Sequence, residues 1–122
     1  MALKEIADAL VAGCREGRET ENLDKLYAAD AVSVEPVDMG EGREAKGMDA
    51  LKGKHAWWDA TFEVLDAKVS DPFPHGDDRF AVVFEVKAKN KEDGEVSDMK
   101  EVAVYHVANE KIVREEFFYG MS

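Results

Sequence analysis

Apolar and polar residues alternate through the last quarter of the chain, residues 98–119. Because successive side chains of a strand point to opposite faces, this pattern predicts two long strands joined by a tight turn at residues 108–110. One predicted face carries Met99, Glu101, Ala103, Tyr105, Val107, Val113, Glu115, Phe117 and Tyr119. The opposite face carries Lys100, Val102, Val104, His106, Ala108, Ile112, Arg114, Glu116 and Phe118. Both faces hold apolar side chains, so we expect helices to cover one face and a partner subunit to cover the other.

The first half of the chain has the three- and four-residue apolar spacing of helices. A first helix is predicted from about residue 3 to residue 16, and Gly17 ends it. A short second helix follows, capped by Thr20 or Asn22. Its inward residues are predicted to be Leu23, Leu26 and Tyr27. A third helix is predicted after Gly47, with a stripe formed by Met48, Leu51, His55 and Trp58.

The remaining segments predict further strands and their connections. Strands are expected at residues 31–36, 62–69, 79–89 and from Val96 onward. Segments 37–47 and 70–78 are rich in glycine, proline or charge and are predicted as loops. Helices first and an antiparallel meander afterwards predict one α+β domain over residues 1–122, with N-terminal helices packed on a curved, mainly antiparallel sheet.

Charge and cysteine content narrow the function classes. The chain carries 27 acidic and 16 basic residues, a formal net charge of -11. Such a surface repels phosphate backbones and anionic lipids, so neither nucleic acid nor a membrane is an expected partner. The single cysteine, Cys14, cannot form an internal disulfide, and no apolar run marks a secretion signal. We therefore expect a cytoplasmic protein.

Metal and cofactor chemistry has no sequence signature in this chain. No paired histidines and no Cys-x-x-Cys spacing occur, so no metal is predicted. No dinucleotide fingerprint precedes a helix either, and no cofactor is predicted.

Several short motifs follow each other in a characteristic order. They are Leu26 to Ala31, a strand ending in Glu35-Pro36, Gly47 before a helix, Pro72 to Asp77, and the closing segments 101–105 and 111–119. Together they resemble the SnoaL-like branch of the nuclear transport factor 2-like superfamily. The resemblance implies a cystatin-like cone of helices and curved sheet around a mostly apolar pocket, with dimerisation through the outer sheet face. The superfamily includes ketosteroid isomerase, polyketide cyclases, limonene epoxide hydrolase and members that only bind or scaffold.

The resemblance assigns candidate roles to single residues. In ketosteroid isomerase the proton-shuttling base is an aspartate directly before a proline, and Glu35 matches that position. His55 falls near a tyrosine of the isomerase's hydrogen-bond network, so it is expected to face the pocket. The isomerase's oxyanion-binding aspartate and tyrosine fall at Ala103 and at Leu10 or Val11, which cannot donate a hydrogen bond. These departures argue against a steroid isomerase.

The alternation of side chains along the predicted strands adds residues to the candidate pocket. If Ala103 faces inward, its alternate neighbours and their cross-strand partners do so as well. The predicted pocket residues are Glu35, His55, Trp58, Glu101, Tyr105, Glu115 and Tyr119. Carboxylates gathered there lose hydration and repel each other, so at least one should have a raised pKa. A raised carboxyl pKa suits general acid or base catalysis.

Each candidate also has a purely structural interpretation. Glu101 and Glu115 are equally compatible with pairing to His55, Lys100 or Arg114, or with a solvated position at the sheet rim. A histidine on an apolar stripe is often a core residue bonded to a carboxylate or a carbonyl. Two adjacent tryptophans, residues 57 and 58, are expected to form core or pocket wall.

Two functions are therefore predicted as alternatives. The first is a cofactor-independent isomerase, cyclase or dehydratase, in which Glu35 takes a proton next to the carbonyl of a small apolar compound. His55, Tyr105 or Tyr119 would then donate to the enolate oxygen. The second is a small-molecule-binding or scaffolding dimer without turnover. In either case we expect a homodimer through an outer patch formed by Val102, Val104 and Phe118, flanked by His106, Arg114 and Glu116.

Overall fold

The computed structural model describes residues 2–38 and 42–119. Its elements are α1 (Leu3–Arg15), α2 (Glu19–Leu26), β1 (Tyr27–Val34), β2 (Glu44–Lys46), α3 (Met48–Thr61), β3 (Phe62–Val69), β4 (Phe73–His75), β5 (Arg79–Asn90), β6 (Val96–Ala108) and β7 (Lys111–Phe118). The strands form one sheet in the order β2-β1-β7-β6-β5-β3, with β4 paired to β5. All strand pairs are antiparallel except β1 with β7. This is the predicted α+β arrangement.

The helices begin and end close to the predicted positions, except at the start of α2. That helix begins at Glu19 with Arg18 as its N-cap residue, so the predicted cap at Thr20 or Asn22 is wrong. Asn22 instead lies buried within α2, and its amide donates a hydrogen bond of 3.1 Å to the carbonyl oxygen of Leu10 in α1. A side chain that is typical of caps here joins two helices, because the packing of α2 on α1 offers it a buried partner.

The contact between α1 and α2 requires a glycine at residue 13. A Cβ atom there would lie 2.3 Å from Asn22 Oδ1, and moving that amide would break its bond to Leu10. Gly13→Ala should lower the free energy of unfolding by about 1–2 kcal/mol, although alanine is the better helix former by about 1 kcal/mol. Urea denaturation measures the difference.

The matched control is Gly53→Ala in α3, where an added Cβ meets nothing within 4 Å. This variant should be more stable than the wild type by roughly 0.5–1 kcal/mol. If both substitutions stabilised the chain equally, close packing at Gly13 would be refuted.

Two short strands lie in segments that were predicted as connections. β2 pairs with β1 inside segment 37–47, and β4 pairs with β5 inside segment 70–78. Each has only three residues, too few to show an alternating pattern along the sequence. They form because a longer strand beside them offers unpaired backbone groups.

The first strand differs from its prediction at both ends. β1 begins at Tyr27, which was predicted on the second helix, and it ends at Val34. The strand therefore stops before Glu35 and Pro36, where the missing proline N–H could not have continued the ladder. Ser33 of β1 pairs with Glu115 of β7 in the parallel ladder.

The closing hairpin has the predicted strands and turn, with one local irregularity. Asn109 and Glu110 have positive φ values of 51° and 63°, as a tight two-residue hairpin turn requires. Between the pairs of His106 with Arg114 and of Val107 with Ile112, a β-bulge adds one residue to β7. Ile112 is therefore fully buried in the core, and its predicted place on the outer face is wrong.

The helices cover the inner face of the sheet. The core between them includes Ile6, Leu10, Leu23, Leu51, Phe80, Val82 and Ala103. Within the described residues no helix is long and apolar enough to cross a membrane. Residue 103 is fully buried, so the predicted inward direction of this side of β6 is confirmed.

Candidate functional site

Glu35 lies directly after β1, at the edge of the inner face. Its backbone N–H donates to the carbonyl oxygen of Arg43 at 2.8 Å, and Arg43 Nε donates back to the Glu35 carbonyl oxygen at 3.0 Å. Ser33 and Ala31 are buried two and four residues earlier, so alternation turns Glu35 to the same side. The Glu35 side chain is 25% exposed, which leaves its carboxylate accessible to a small molecule.

Two side chains hold the Glu35 carboxylate, one at each oxygen. Lys54 Nζ donates to Oε1 at 2.6 Å, and the Tyr119 hydroxyl donates to Oε2 at 3.0 Å. Lys54 comes from α3, three residues after the buried Leu51 and therefore on the helix side that faces the sheet. Burial and the charge of Glu35 raise the pKa of Tyr119 to about 12, so its hydroxyl stays a donor at neutral pH.

A second carboxyl group, that of Glu115 on β7, lies deeper, beside β1. Glu115 is only 4% exposed, and Tyr27 donates to its Oε2 at 2.5 Å. Burial raises the pKa of Glu115, while hydrogen bonds from Tyr27 and Ser33 and the charge of Lys54 lower it in part. Ser33 also accepts a hydrogen bond of 2.7 Å from Lys54 Nζ, so Lys54 and Ser33 link the two carboxyl groups.

Glu101 is the third carboxyl group of this cluster. It lies on β6 opposite Phe84 of β5, two residues before the buried Ala103. Burial raises the pKa of Glu101 to about 7, and the charges of Glu35 and Glu115 add to the rise while Lys54 opposes it. No hydrogen bond to its carboxyl group occurs among residues 2–38 and 42–119. Such a group can gain or lose a proton near neutral pH.

We call Tyr27, Ser33, Glu35, Lys54, Glu101, Glu115 and Tyr119 the carboxylate cluster. Glu101 and Glu115 are thus partners of neither Lys100 nor Arg114, which instead pair with Glu85 and Glu116. The structure therefore brings four sequence-predicted residues together and adds three that sequence reasoning missed.

Tyr105 lies beneath the cluster as part of the core. Its ring stacks on Phe80 with centroids 5.0 Å apart, and burial holds its pKa well above the usual value. It pairs across the strands with Glu115, so it belongs to the inner face as predicted.

The two remaining predicted residues, His55 and Trp58, lie on α3. Burial lowers the pKa of His55. The charge of Asp59 raises this pKa and the charge of Lys54 lowers it further, and since the net change is downward, the ring is neutral at pH 7. The His55 ring makes no hydrogen bond in the part of the chain that the structure describes. Trp58 packs on Phe62 with centroids 4.6 Å apart. The neighbouring Trp57 is 58% exposed, so its expected place in the core or the pocket wall is wrong.

The three missed residues each had a reason to be overlooked. Lys54 sits on an amphipathic helix, where a lysine usually lies in solvent, although its spacing from Leu51 could have placed it inward. Ser33 belongs to no motif that marks a catalytic or binding serine. Tyr27 could not be connected to Glu115, because their 88-residue separation is closed only by the parallel pairing of β1 with β7.

Two surface depressions lie away from this cluster. One, of about 380 Å³, is lined mostly by charged residues of β3, β5 and β6. The other, of about 670 Å³, lies between the start of α1 and the segment around β4. The described residues also contain no group of three histidine, cysteine or acidic side chains arranged to hold a metal ion.

Comparisons with known proteins agree with the observed fold. The sequence profile of the SnoaL-like domain matches residues 1–119. A proposed SnoaL-like polyketide cyclase from Mesorhizobium loti is 34% identical, with 98% of this chain and 100% of that chain covered and a TM-score of 0.90. No curated protein sequence matches the chain.

More distant solved structures share the fold. A protein with a cystatin-like fold from Xanthomonas campestris is 18% identical over 99% of this chain and 92% of its own, with a TM-score of 0.77. A proposed isomerase from Bacillus subtilis is 15% identical over 95% and 84%, also with a TM-score of 0.77. The predicted cystatin-like, nuclear transport factor 2-like fold is confirmed, and the chain belongs to the SnoaL-like family.

Proposed function

We propose that this chain is a cofactor-independent enzyme that moves a proton on the carbon next to the carbonyl group of a small, mostly apolar compound. Glu35 is the general base. The proposal rests on one observation above all: the Glu35 carboxylate is fixed at both oxygens by Lys54 and Tyr119 and still reaches solvent. A carboxylate has about four lone-pair positions, so two remain to accept a proton from a substrate.

Glu101 is the second proton carrier in this proposal. With a pKa of about 7, its carboxyl group can deliver a proton to the substrate or store the one that Glu35 has taken. Isomerisation, aldol-type cyclisation and dehydration all begin with removal of a proton next to a carbonyl. The relative that is 34% identical is named a proposed polyketide cyclase, and cyclisation belongs to this class of chemistry.

The other predicted residues keep supporting roles in the proposal. The sequence offered His55, Tyr105 and Tyr119 as donors to the substrate oxygen. Tyr105 is buried and Tyr119 already donates to Glu35, so His55, neutral at pH 7, keeps this supporting role, with Trp58 as wall. Tyr105 and Glu115 form the buried floor, where Glu115 accepts a hydrogen bond from Tyr27. A cytoplasmic location remains a prediction from the sequence.

The proposal is tested by following deuterium uptake in ²H₂O with NMR. The probes are small enolisable ketones, beginning with 2-tetralone. Deuterium uptake is followed at the carbons next to the carbonyl group. Exchange faster than with an equal concentration of denatured chain would support the proposal. Exchange at the buffer rate for every ketone tried would refute it, and the binding or scaffolding function would take its place.

We also propose that the chain forms a homodimer through the outer face of β6 and β7. Val102 is 36% exposed and Phe118 is 53% exposed, and they pair with each other across the strands. Beside them, Glu116 accepts from His106 at 3.0 Å and from Arg114 at 3.3 Å. An apolar patch with a charged edge is the usual composition of a two-fold interface.

Sedimentation equilibrium at micromolar concentration should give twice the chain mass of 13.6 kDa. Phe118→Asp should shift the protein to the monomer, because the interface would then bury an unpaired charge. Val96→Asp is the matched control, since this residue is also exposed but lies at the far end of β6. A wild-type chain that sediments as a monomer would refute the dimer.

A further inference from the structure

The Lys54 ammonium group has one more N–H than its observed partners use. An ammonium carries three donors. One goes to Glu35 and one to Ser33, and the Nζ atom lies 5.2 Å from the centroid of the Phe117 ring. No third hydrogen-bonded partner occurs among residues 2–38 and 42–119. One N–H is therefore available to a ligand.

The available N–H belongs to a charged group that solvent can reach. The Lys54 side chain is 30% exposed, and the carboxylate and the aromatic ring beside it both favour a cation there. Its charge acts on Glu101 and on Glu115 across the cluster. A negative charge on a ligand beside Nζ would therefore meet a fixed cation.

The uncharged groups near Glu35 are weaker donors than the Lys54 ammonium group. The single Tyr119 hydroxyl proton is already donated to Glu35. Ala103 and Phe117 face each other across β6 and β7 and have no polar side-chain atoms. An oxygen that becomes negative while Glu35 takes a proton thus finds its best donor at Lys54.

We propose that Lys54 binds the carbonyl oxygen of the substrate and stabilises the negative charge which that oxygen gains during catalysis. This inference rests on the proposed function. The proton leaves the carbon for a Glu35 oxygen, the C–H electron pair becomes the new C=C bond, and the C=O π pair moves onto oxygen. The reacting carbon and the oxygen are two bonds apart, so the base and the donor must be neighbours, as Glu35 and Lys54 are at 2.6 Å.

We therefore expect Lys54 to bind planar compounds that carry an anionic oxygen on an sp² carbon. An enolate is such a compound, and a phenolate is its stable mimic. The test compares 4-nitrophenolate with 4-nitroanisole, which has nearly the same shape but cannot ionise, by calorimetric titration at pH 8. The wild type should bind the phenolate at least about tenfold more tightly, as a charge-assisted hydrogen bond would produce.

Lys54→Met should remove this preference, and Lys54→Arg should keep part of it. The matched control is Lys52→Met on the same helix, because Lys52 pairs with the exposed Asp24 and lies outside the cluster. Thermal melts check that each variant is folded. The inference is wrong if the wild type shows no preference for the phenolate, or if Lys54→Met keeps it while folded.

The two proposals can fail separately. Deuterium exchange that depends on Glu35 without any phenolate preference would overturn only the role of Lys54. A phenolate preference that depends on Lys54 without any ketone exchange would leave the anion site and overturn the proposed enzyme. Loss of both would overturn both.

Discussion

Glu35→Gln should lower the rate of ketone deuterium exchange by about 10²- to 10⁴-fold, the usual contribution of a general base. Glutamine cannot take up the proton, because its amide has no basic oxygen at neutral pH. The fold should survive, since the amide oxygen can still accept from Lys54 and the amide N–H can donate to the Tyr119 oxygen. The substrate concentration for half-maximal rate should change little.

The matched control is Glu44→Gln, an exposed residue of β2 whose carboxylate pairs with Lys46 at 3.4 Å. This variant should exchange deuterium at the wild-type rate. Initial rates from NMR and the thermal melting temperature are measured for both variants. A folded Glu35→Gln chain that exchanges as fast as the wild type would remove Glu35 from its proposed role.

Glu101→Gln should make the chain more stable at pH 8 and should change its stability little at pH 5. The pKa of Glu101 rises from 4.5 in the unfolded chain to about 7 in the folded protein. Below pH 4.5 both states are protonated and the group contributes nothing to the free energy of unfolding. Between pH 4.5 and 7 the unfolded chain ionises first, so wild-type stability falls as pH rises, and above pH 7 this loss is complete.

The full loss corresponds to roughly 3 kcal/mol, and glutamine at this position does not incur it. Urea denaturation at pH 5, 6, 7 and 8 measures the effect. Burial also raises the pKa of Glu115, so the variant should still lose some stability as the pH rises. Glu92→Gln, in the exposed turn between β5 and β6, is the control and should follow the wild-type curve. Parallel curves for Glu101→Gln and wild type would contradict the raised pKa.

Much of the fold could be predicted because neighbouring residues along the chain carry the signal. β3 was predicted at residues 62–69 and is observed there, and α1 and α3 follow their apolar spacing. The alternation of β6 correctly placed Ala103 and Tyr105 on the inner face of the sheet. The same local rule failed at Ile112, because a bulge inserted one residue and reversed the alternation beyond it.

The candidate site could be predicted only in part. Sequence reasoning identified Glu35, Glu101, Glu115 and Tyr119 through parity and family resemblance. Sequence reasoning did not show that these residues contact each other. The alternation along a strand tells which face a side chain occupies and not which other side chain it contacts. The catalytic roles assigned to them remain predictions that the experiments above will decide.

Local spacing along the chain was enough to predict the helices apart from the start of α2, the long strands, the inner side of β6 and the family. Each of these follows from the spacing of apolar residues, glycines and prolines over a few positions. The packing of distant segments places Lys54 between Glu35 and Ser33 and brings Tyr27 to Glu115. The contact of Tyr27 with Glu115 depends on the parallel pairing of β1 with β7. The contacts of Lys54 depend on how α3 packs against β1. Both arrangements minimise the energy of the whole chain rather than of any short segment.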